Sequence, residues 1–459
     1  MRRDIYVFIF RRDLRYEDNL ALNALLKKSK ETGIKILPIF IFNPKQIDTN
    51  QNAYYSKNCC EFMVQSLVSL NLSFKNALCY FHGNDIDVLQ KIITHYEIDT
   101  IAYNKDYTPF AKQRDTKLEE WCVKNSISTI VKEDYSFLPM NTILSGENKN
   151  YEVFTPYYNK FLIKSKDILK PEIINNISTL LYYDKSKLKQ YIIKDIGIYY
   201  GNDANQNLYV KGGRDNALRL LHRIRIGTYK NYIKERDLPY KDKTTKLSAY
   251  IKFGCISIRE MYDVIRRKHG VKSELLRQLI WREFYANIIY NNPEHIKNEA
   301  YKEKIVNMQY YIKWCDGKTG FPIVDAAMRQ LRKEGYLNNR LRMIIASFLV
   351  KDLNVYWTHG ERFYATQAVD YDPCSNNGGW RSMNDQVYFR IMNPWLQSHK
   401  FDIDAKYIKK WIPELGDVSA DDIHNWHTAY NKHTLIKYPK PIVDHREQMK
   451  LFSDHKTKF

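Results

Sequence analysis

Five short apolar runs alternate with helix-patterned segments over the first 135 residues of the chain. Each run is too apolar for a half-exposed strand, which indicates strands buried on both faces. The runs are IYVFIF (5–10), IKILPIFIF (34–42), ALCYFHG (77–83), DTIAYN (99–104) and STIVKED (128–134). This alternation predicts an α/β fold with a doubly wound parallel sheet. The phosphate loops GxGxxG and GxxxxGK are absent from the sequence, which excludes an ordinary dinucleotide-binding or P-loop protein.

Downstream of Lys211 the sequence pattern becomes helical almost throughout. Apolar residues recur with helical spacing in the segments 274–290, 322–335 and 340–357, and each segment is long enough for a helix. Between the two patterns lies an irregular stretch rich in Lys, Asn and Tyr. We therefore expect three regions along the chain. They are an α/β domain (1–135), an interdomain connection (136–205) and an all-α domain (206–459).

The chain is strongly basic, with 72 Lys and Arg against 52 Asp and Glu, a formal net charge of +20. A surplus this large attracts polyanions such as nucleic acid. Codon bias in an AT-rich genome is the alternative explanation, and the 36 tyrosines agree with it. Seven cysteines without a CxxC pair argue against a disulfide framework and against a zinc site, so we expect no bound metal.

No membrane or export segment is evident in the sequence. No stretch approaches about 18 apolar residues, the length of a membrane-spanning helix. The apolar run 5–10 is too short for the core of a signal peptide and is closed by further arginines. We therefore expect no membrane partner and a reducing intracellular location, either cytoplasmic or nuclear.

Four blocks of the carboxyl half occur together and in a distinctive order. They are KTTKLSAYIKFGCIS (243–257), LIWREFY (279–285), GKTGFPIVDAAMRQLRKEGYLNNRLRMIIASFLVKDL (317–353), and DYDPCSNNGGW (370–380) with YFRIMNPWLQSHKFD (388–402). FRRDLRYEDNLAL (10–22) adds a match in the amino half. The chain resembles the photolyase/cryptochrome flavoprotein family, and within it the class I cyclobutane pyrimidine dimer photolyases. That resemblance implies an antenna-type α/β domain, a helical domain that holds FAD, and a monomer that repairs damaged double- or single-stranded DNA with light.

The resemblance implies two groups of FAD-binding residues. Hydroxyls and backbone N–H groups at a helix start form an anion site, although Thr or Ser there also serves as a plain N-cap. The group matching this phosphate-binding turn is Tyr232, Thr244, Thr245, Lys246, Leu247 and Ser248. The group matching positions around the isoalloxazine is the ion pair Arg342 and Asp370, Asp372 at the hydrogen-bonding edge, and Asn376 opposite N5.

Asn376 belongs to the segment NNGG, which has two interpretations. In the family, an amide near N5 favours the reduced flavin, which is the protein's contribution to tuning the cofactor. Light sensors of the family often carry Asp or Cys at this position, so Asn indicates the repair type. Taken alone, NNGG is more typical of a turn with positive φ.

Two tryptophans, Trp357 and Trp380, match the inner steps of the family's electron-transfer chain. The alternative for each is an ordinary place in an aromatic core. The outermost Trp of that chain has no counterpart between Tyr301 and Lys313. Tyr310 is therefore the candidate for the terminal position.

The expected substrate is a cyclobutane dimer. Asn339 and Met343 stand where (6-4) photolyases carry two proton-donating histidines, and neither residue can be protonated. Trp281 matches an aromatic platform for the flipped lesion, and Gln278 stands where class I enzymes usually have Glu. With Asn376, these four residues are the catalytic candidates. The candidate DNA contacts are Arg236, Gln278, Trp281, Asn339, Arg340 and Gln397.

Arg381 and Ser382 depart from the family, which has a second stacking Trp two residues after position 380. One aromatic wall fewer predicts weaker lesion binding, because base–aromatic stacking contributes about 1–3 kcal/mol per base. Trp395 could replace that wall, or Arg381 could stack or bind phosphate.

The sequence does not identify the antenna chromophore. Phe110–Ala111 stand where folate-binding members have Asn–Glu, which disfavours folate and leaves a deazaflavin, a flavin or no antenna.

Three other functions compete with dimer repair. A cryptochrome-type blue-light photoreceptor would share the cofactor site, and a (6-4) photolyase would need proton donors at the lesion. A flavin-free nucleic-acid binder would not account for the clustering of flavin-facing residues. Asn376, Asn339 and Met343 together favour repair of the cyclobutane dimer.

Overall fold

A computed structural model describes residues 4–201, 203–296, 307–383 and 391–456. These residues contain five strands, which form one parallel sheet in the order β3-β2-β1-β4-β5. The strands are β1 (Ile5–Phe10), β2 (Lys35–Phe42), β3 (Cys79–His82), β4 (Ile98–Asn104) and β5 (Ser128–Lys132). The doubly wound sheet predicted from the apolar runs is confirmed. The strand order reverses between β1 and β4, so a crevice is expected at the carboxyl ends of these strands.

The central strand β1 is buried along its whole length because packed elements cover both faces of the sheet. Tyr6 and Phe8 face one hydrophobic core, and Ile5 and Val7 face another. β5 differs from the prediction of a buried strand, because its residues are half-buried or exposed. It is an edge strand, which has a neighbour on one side only.

Helices cover the sheet and make up most of the carboxyl half. Those of the amino half are α1 (Leu20–Thr32), α2 (Pro44–Ile47), α3 (Lys57–Ser73), α4 (Asp85–Ile93), α5 (Pro109–Lys124) and α6 (Phe154–Lys164). Those that follow are α7 (Arg214–Arg225), α8 (Tyr232–Glu235), α9 (Ser248–Lys252), α10 (Ile258–His269), α11 (Glu274–Asn291), α12 (Met308–Asp316), α13 (Pro322–Glu334) and α14 (Asn339–Ser347). The last are α15 (Trp357–Gln367), α16 (Pro373–Arg381), α17 (Pro394–Phe401), α18 (Lys406–Trp411), α19 (Ala420–His424), α20 (Trp426–Ala429) and α21 (His445–Lys456). Within the described ranges, none of them combines the length and the apolar character needed to cross a bilayer.

The sequence predicts a single helix over the periodic segment 340–357, but the structure divides this segment. α14 ends at Ser347, and a π-helical turn over Phe348–Asp352 follows it. Asn354 then adopts a left-handed conformation with φ of +49°, which a continuous right-handed helix cannot include. Trp357 therefore begins α15 instead of ending α14.

A buried ionic cluster joins the sheet to the helical half. Asp134 accepts hydrogen bonds from Arg15 Nη2 at 2.6 Å and from Arg259 Nη2 at 2.5 Å. Arg259 Nε also donates to Asp18 at 3.0 Å. Burial alone would raise the pKa of Asp134, but the two arginines hold it below its usual value. Because Arg259 lies on α10, the cluster fixes the start of the helical half against the sheet.

Candidate cofactor and nucleic-acid site

Within the polar segment 370–382, residues Pro373–Arg381 form the helix α16 and not a turn. Asp372 is its N-cap and accepts a hydrogen bond from the Ser375 N–H at 3.0 Å, and a proline occupies the first turn. Neither Gly378 nor Gly379 has a positive φ, so the interpretation of NNGG as a turn is wrong. A Cβ added at Gly378 would lie 2.1 Å from Tyr285 Cδ1, so this glycine is needed for close packing of α16 on α11.

Arg342 and Asp370 form the ion pair that the sequence suggests, with the carboxylate buried and the arginine partly exposed. Arg342 Nη2 donates to Asp370 Oδ2 at 2.7 Å, and Arg342 Nε donates to the Leu337 carbonyl at 2.9 Å. Burial alone would lower the pKa of Arg342, but Asp370 raises it above the usual value. The rings of Tyr336 and Tyr364 lie 5.4 and 5.1 Å from the guanidinium carbon. Asp370 Oδ1 is buried and has no hydrogen-bond partner among the described residues.

Asn376 is held in one orientation by α15. Its Nδ2 donates to the carbonyl oxygen of Glu361 at 3.1 Å and to Glu361 Oε1 at 3.0 Å. Because the donor group is committed to Glu361, the carbonyl oxygen Oδ1 is the group left to meet a ligand. Asn376 is half-buried, so this oxygen lies in a partly enclosed environment.

Asp372, which is expected at the hydrogen-bonding edge of a flavin, is held by residues of the amino half. Its Oδ2 accepts hydrogen bonds from Arg12 Nη2 at 2.5 Å and from the Tyr135 hydroxyl at 2.9 Å, both from the amino half. Its other oxygen caps α16. Burial would raise the pKa of Asp372, but the charges of Arg12 and Arg282 and these hydrogen bonds hold it far below its usual value. One oxygen therefore caps α16, and the other joins the start of α16 to the sheet domain.

The predicted phosphate-binding turn precedes the short helix α9. Leu247 is the N-cap of this helix and provides no side-chain hydrogen bond, so the interpretation of Thr or Ser as a plain N-cap is wrong. Lys246 has a φ of +60°, which turns the backbone just before the helix. Thr244 Oγ1 lies 3.3 Å from the Tyr336 hydroxyl, which links the turn to the surroundings of Arg342. Thr245 and Tyr232 are half-buried, and Ser248 is exposed.

These features fit FAD. Asp370 Oδ1 and the Tyr364 hydroxyl are buried polar atoms without partners in the described part of the chain, as expected of groups that meet a polar ligand. Asn376 Oδ1 adds an oriented acceptor. The hydroxyls of Thr244 and Thr245 and the uncapped N–H groups of α9 provide donors suited to phosphate.

Trp380 is almost fully buried and packs against Gly360, where an added Cβ would lie 2.4 Å from its ring. Its ring meets Trp314 edge to face, with centroids 6.3 Å apart and planes at 80°. Tyr311 stacks on Trp314 at 6.1 Å and 21°. Trp314 is fully buried and donates from Nε1 to the Ile345 carbonyl at 3.2 Å.

Trp314 is not among the sequence candidates, because it lies one position beyond the segment 301–313 in which the outer Trp is expected. The one sequence feature that indicates a role for Trp314 is its helical spacing from Tyr311, since the two are three residues apart on α12. Trp357 is 7% exposed and lies 6.0 Å from Tyr356. Tyr310 is half-buried against the hydrophobic core of the carboxyl half, which contains Trp314, Trp357 and Trp380. Of the segment 301–313 in which the outer Trp is expected, residues 301–306 lie outside the described residues.

One face of α11 carries the residues expected to meet the lesion. Gln278 and Trp281 are both half-buried. Phe154 stacks on Trp281 with ring centroids 3.6 Å apart and planes at 5°, so one indole face is already covered. Gln278 Nε2 donates to Glu274 Oε1 at 2.6 Å. Phe154 and Glu274 are not among the candidate site residues from the sequence. Only their contacts with Trp281 and Gln278 in the structure link them to this site.

Asn339 and Met343 are neighbours on α14, with Asn339 Nδ2 3.7 Å from Met343 Sδ. Asn339 is exposed and Met343 half-buried. The structure thus brings together the two residues that stand at the histidine positions of (6-4) photolyases. Between them they present an amide and a thioether, and no group that titrates near neutral pH.

The candidate DNA contacts differ in their surroundings. Arg236 Nη1 donates to Glu274 Oε1 at 2.5 Å, and Arg340 Nη2 donates to Asp237 at 2.7 Å. Both arginines are therefore paired with carboxylates that DNA phosphates would have to replace or accompany. Gln397 Oε1 has no partner among the residues described here.

Arg381 and Ser382, the two residues that depart from the family, each contact a neighbouring residue. Arg381 Nη1 contacts His295 Nδ1, and burial followed by the charge of Arg381 lowers the pKa of that histidine. Ser382 Oγ donates to the Gly379 carbonyl at 2.6 Å. The rest of the shortened loop, residues 384–390, lies outside the described residues.

Trp395, the candidate replacement for the missing aromatic wall, has two ring contacts of its own. Its ring stacks on Phe321 at 4.6 Å and 27°, and His427 lies 4.7 Å from it. The half-buried indole therefore packs against the hydrophobic core of the carboxyl half, beside Phe321 and α20. Trp395 stays a candidate for the wall, with part of its ring covered by Phe321, as Phe154 covers one face of Trp281.

A cavity of about 440 Å³ opens at the carboxyl ends of the strands, where the reversal of strand order predicts a ligand site. Phe10, Phe42 and Phe110 supply apolar walls, and Arg12 and Lys252 supply charge. The volume lies in the range of small-molecule sites, about 300–1,000 Å³.

Two family descriptions match the chain: DNA photolyase over residues 6–173, and the FAD binding domain of DNA photolyase over residues 275–457. Among curated proteins, the deoxyribodipyrimidine photo-lyase of Escherichia coli (strain K12) is 31% identical over 464 residues, with 95% of each chain covered. The protein of the same name from Buchnera aphidicola subsp. Acyrthosiphon pisum is 32% identical and covers 96% of this chain and 94% of its own.

Solved structures share the whole fold. An archaeal photolyase from Sulfolobus tokodaii, described with two FAD molecules and a novel light-harvesting cofactor, matches with a TM-score of 0.82 and 33% identity over 99% of both chains. A bacterial class III photolyase from Agrobacterium tumefaciens matches with a TM-score of 0.85 and 26% identity, over 100% of this chain and 98% of the other. A Synechocystis cryptochrome at 22% identity and TM-score 0.83, over 99% of this chain and all of the other, shows the fold alone.

Proposed function

The chain belongs to the DNA photolyase family, and on that premise we propose that it splits cyclobutane pyrimidine dimers in DNA with light. One observation carries the proposal. The helix with the lesion-facing residues, α11, packs directly on the helix that bears Asn376, α16, through Tyr285 and Gly378. Trp281 lies 5.6 Å from Tyr285 on the same helix. The aromatic platform and the flavin-facing amide are thus supported by two helices in direct contact.

FAD, when bound in reduced form, supplies an electron donor that light can excite. Arg342 fixes Asp370, whose Oδ1 would accept a hydrogen bond from a donor at the edge of the isoalloxazine ring. Thr244, Thr245 and the start of α9 would hold the phosphates. In this proposal Asp372 acts indirectly, because its carboxylate anchors α16 to Arg12.

Asn376 would hold a proton at flavin N5. Because both hydrogen bonds from Nδ2 go to Glu361, the group turned toward a ligand is an acceptor. An acceptor opposite N5 favours the protonated nitrogen, which is the form found in reduced flavin. The amide therefore supports the redox state in which repair operates.

The lesion would be selected on α11 and α14. Trp281 supplies a stacking surface for the flipped bases, and such stacking contributes about 1–3 kcal/mol per base. Asn339 and Met343 fit a reaction that needs an electron but no proton donor. This supports the cyclobutane dimer over the (6-4) lesion.

Binding to DNA would rest on the net charge of +20 and on a few positioned side chains. Arg236, Arg340 and Gln397 are proposed to contact the sugar-phosphate backbone around the flipped dimer. Contacts to phosphate carry no sequence information, which suits an enzyme that must find lesions anywhere. We propose that the protein acts as a monomer.

The cavity at the carboxyl ends of the strands is proposed to hold an antenna chromophore. The Sulfolobus tokodaii photolyase, described with two FAD molecules, supports a flavin as the candidate. Phe10, Phe42 and Phe110 offer apolar contacts for a flat ring, and Arg12 and Lys252 suit a phosphate. Folate stays disfavoured by Phe110 and Ala111.

The proposal is tested with FAD-loaded, chemically reduced protein and two oligonucleotides, one with a single thymine cyclobutane dimer and one with a (6-4) product. Chromatography of the digested strands measures each lesion after blue light and after an equal time in darkness. We expect the cyclobutane dimer to disappear in light alone and the (6-4) product to persist. Persistence of both lesions with FAD bound would favour the photoreceptor function instead.

A further inference from the structure

Glu274 begins α11 and lies one helical turn before Gln278. Its Oε1 accepts hydrogen bonds from Gln278 Nε2 at 2.6 Å and from Arg236 Nη1 at 2.5 Å. Glu274, Gln278 and Trp281 are spaced i, i+4 and i+7, so they share one face of the helix. A carboxylate is therefore placed beside the amide that stands at the position of the family's lesion-binding Glu.

The contact fixes which end of the Gln278 amide is available. A carboxylate only accepts hydrogen bonds, so the group of Gln278 that faces Glu274 must be the NH2. The amide oxygen Oε1 then lies on the other branch of the side chain, and it has no partner within the described ranges. Without such a neighbour, a glutamine amide can present either end.

We propose that Glu274 is a positioning residue, which turns Gln278 so that its carbonyl oxygen, and not its NH2 group, meets the lesion. This inference rests on the proposed function. The N3–H of a thymine or uracil ring is a donor, and Oε1 accepts from it. The reversed amide would set two donors against each other and leave both unsatisfied, which is costly in a partly buried site.

Glu274 thus lets the neutral Gln278 accept a hydrogen bond from the lesion, as the Glu at this position does in the family. It also commits recognition to pyrimidines that carry a proton on N3. Arg236 holds the same carboxylate oxygen from the other side, which restricts the freedom of Glu274.

The test uses FAD-loaded protein in darkness and measures the dissociation constants for a duplex with one thymine dimer and for the undamaged duplex. Glu274→Gln removes the charge and lets the amide at 278 reverse. The matched control is Glu235→Gln, which removes an equally exposed carboxylate, 20% for each side chain, from an ion pair with Lys241 at 3.3 Å.

We expect Glu274→Gln to lower the preference for the dimer over undamaged DNA about tenfold, the effect of one mispaired buried polar group. Affinity for undamaged DNA should stay equal or rise, because a negative charge is lost and Arg236 is released. A purely structural role would instead weaken both affinities together. Glu235→Gln should leave the preference unchanged.

The transposed double variant Glu274→Gln/Gln278→Glu gives the second arm. It returns a carboxylate to position 278, which accepts from N3–H in any orientation, so most of the preference should return. A third arm uses wild-type protein and a dimer methylated at N3, which should bind little better than undamaged DNA.

An unchanged preference in Glu274→Gln, or no recovery in the double variant, would overturn the inference. So would undiminished binding of the N3-methylated dimer, which needs no variant to fold. Wild-type protein serves as the reference for the proposed function itself. If it repairs the dimer in light while Glu274→Gln keeps its preference, the inference alone fails.

Discussion

Asp370 binds Arg342 through one carboxylate oxygen at 2.7 Å and keeps the other, Oδ1, buried without a partner among the described residues. A buried polar atom without a partner costs about 1–3 kcal/mol, so such a group is retained where a ligand satisfies it. We therefore infer that Asp370 and Arg342 belong to a binding site in which FAD supplies the missing hydrogen-bond donor.

Asp370→Asn should lower the affinity for FAD at least about tenfold, because the pair with Arg342 loses its charge and the free acceptor weakens. Flavin absorbance per protein after dialysis measures the loss. Asp316→Asn, which removes the partner of Arg332 at 2.6 Å on the surface, is the control and should retain FAD. Equal flavin content in both variants would contradict the assignment of Asp370.

Trp314→Phe should slow the light-driven reduction of oxidised FAD, because Trp314 lies between Trp380 and Tyr311 in the aromatic series. Absorbance changes under blue light with an external reductant measure this rate. Repair by protein that is chemically reduced beforehand should stay at the wild-type level. Trp395→Phe, which alters an indole packed on Phe321, should leave photoreduction unchanged. Wild-type rates in Trp314→Phe would leave Trp357 as the only route outward from Trp380.

Gly378→Ala and Gly379→Ala should change stability in opposite directions. A methyl at Gly378 would lie 2.1 Å from Tyr285 Cδ1, whereas nothing lies within 4 Å of one at Gly379. Overpacking of this kind costs about 1–3 kcal/mol, and a tolerated Gly→Ala change in a helix contributes about 1 kcal/mol of stability. Urea unfolding of the two variants tests the difference. Equal free energies of unfolding would show that α11 and α16 do not pack this closely.

Glu283 provides a pH-dependent test of the fold around the site. It is buried, its Oε2 accepts from the Phe137 N–H at 3.1 Å, and burial raises its pKa to about 7 in spite of Arg282. A carboxyl whose pKa is raised by folding stabilises the protein while protonated. That stability is present below the unfolded pKa of about 4.5 and is lost as pH rises toward about 7.

Glu283→Gln should remove this part of the pH dependence, since an amide keeps the acceptor for Phe137 without titrating. The free energy of unfolding of the wild type should fall, relative to the variant, by up to about 3 kcal/mol between about pH 5 and about pH 8. Denaturant unfolding at both values measures the difference. A constant difference would mean that Glu283 titrates normally in the folded protein.

Local pattern predicted the sheet and the cofactor pair but not the contacts between distant segments. Apolar runs placed the five strands, since burial on both faces leaves a direct mark on sequence. The Arg342–Asp370 pair followed from the need of a buried guanidinium for a carboxylate. The split after α14 was not predicted, because the apolar period continues through the left-handed Asn354.

The tertiary partners carry no such local mark. Arg12 and Asp372 are 360 residues apart and meet only because the sheet domain packs on α16. The same holds for Phe154 on Trp281. These contacts decide which polar groups remain free for a ligand. The sequence around Asp372 therefore gives no sign that its carboxylate binds Arg12.

In the proposed reaction, bound reduced FAD would supply the electron that splits the dimer and would take it back afterwards. The most direct test is a single-turnover flash experiment on the reduced protein bound to a dimer-containing oligonucleotide, in which flavin absorbance and remaining dimer are followed together. We expect dimers to be lost while the flavin is reduced again at the end of the turnover. A flavin left oxidised with the dimer intact, or no change in the dimer after repeated flashes, would contradict it.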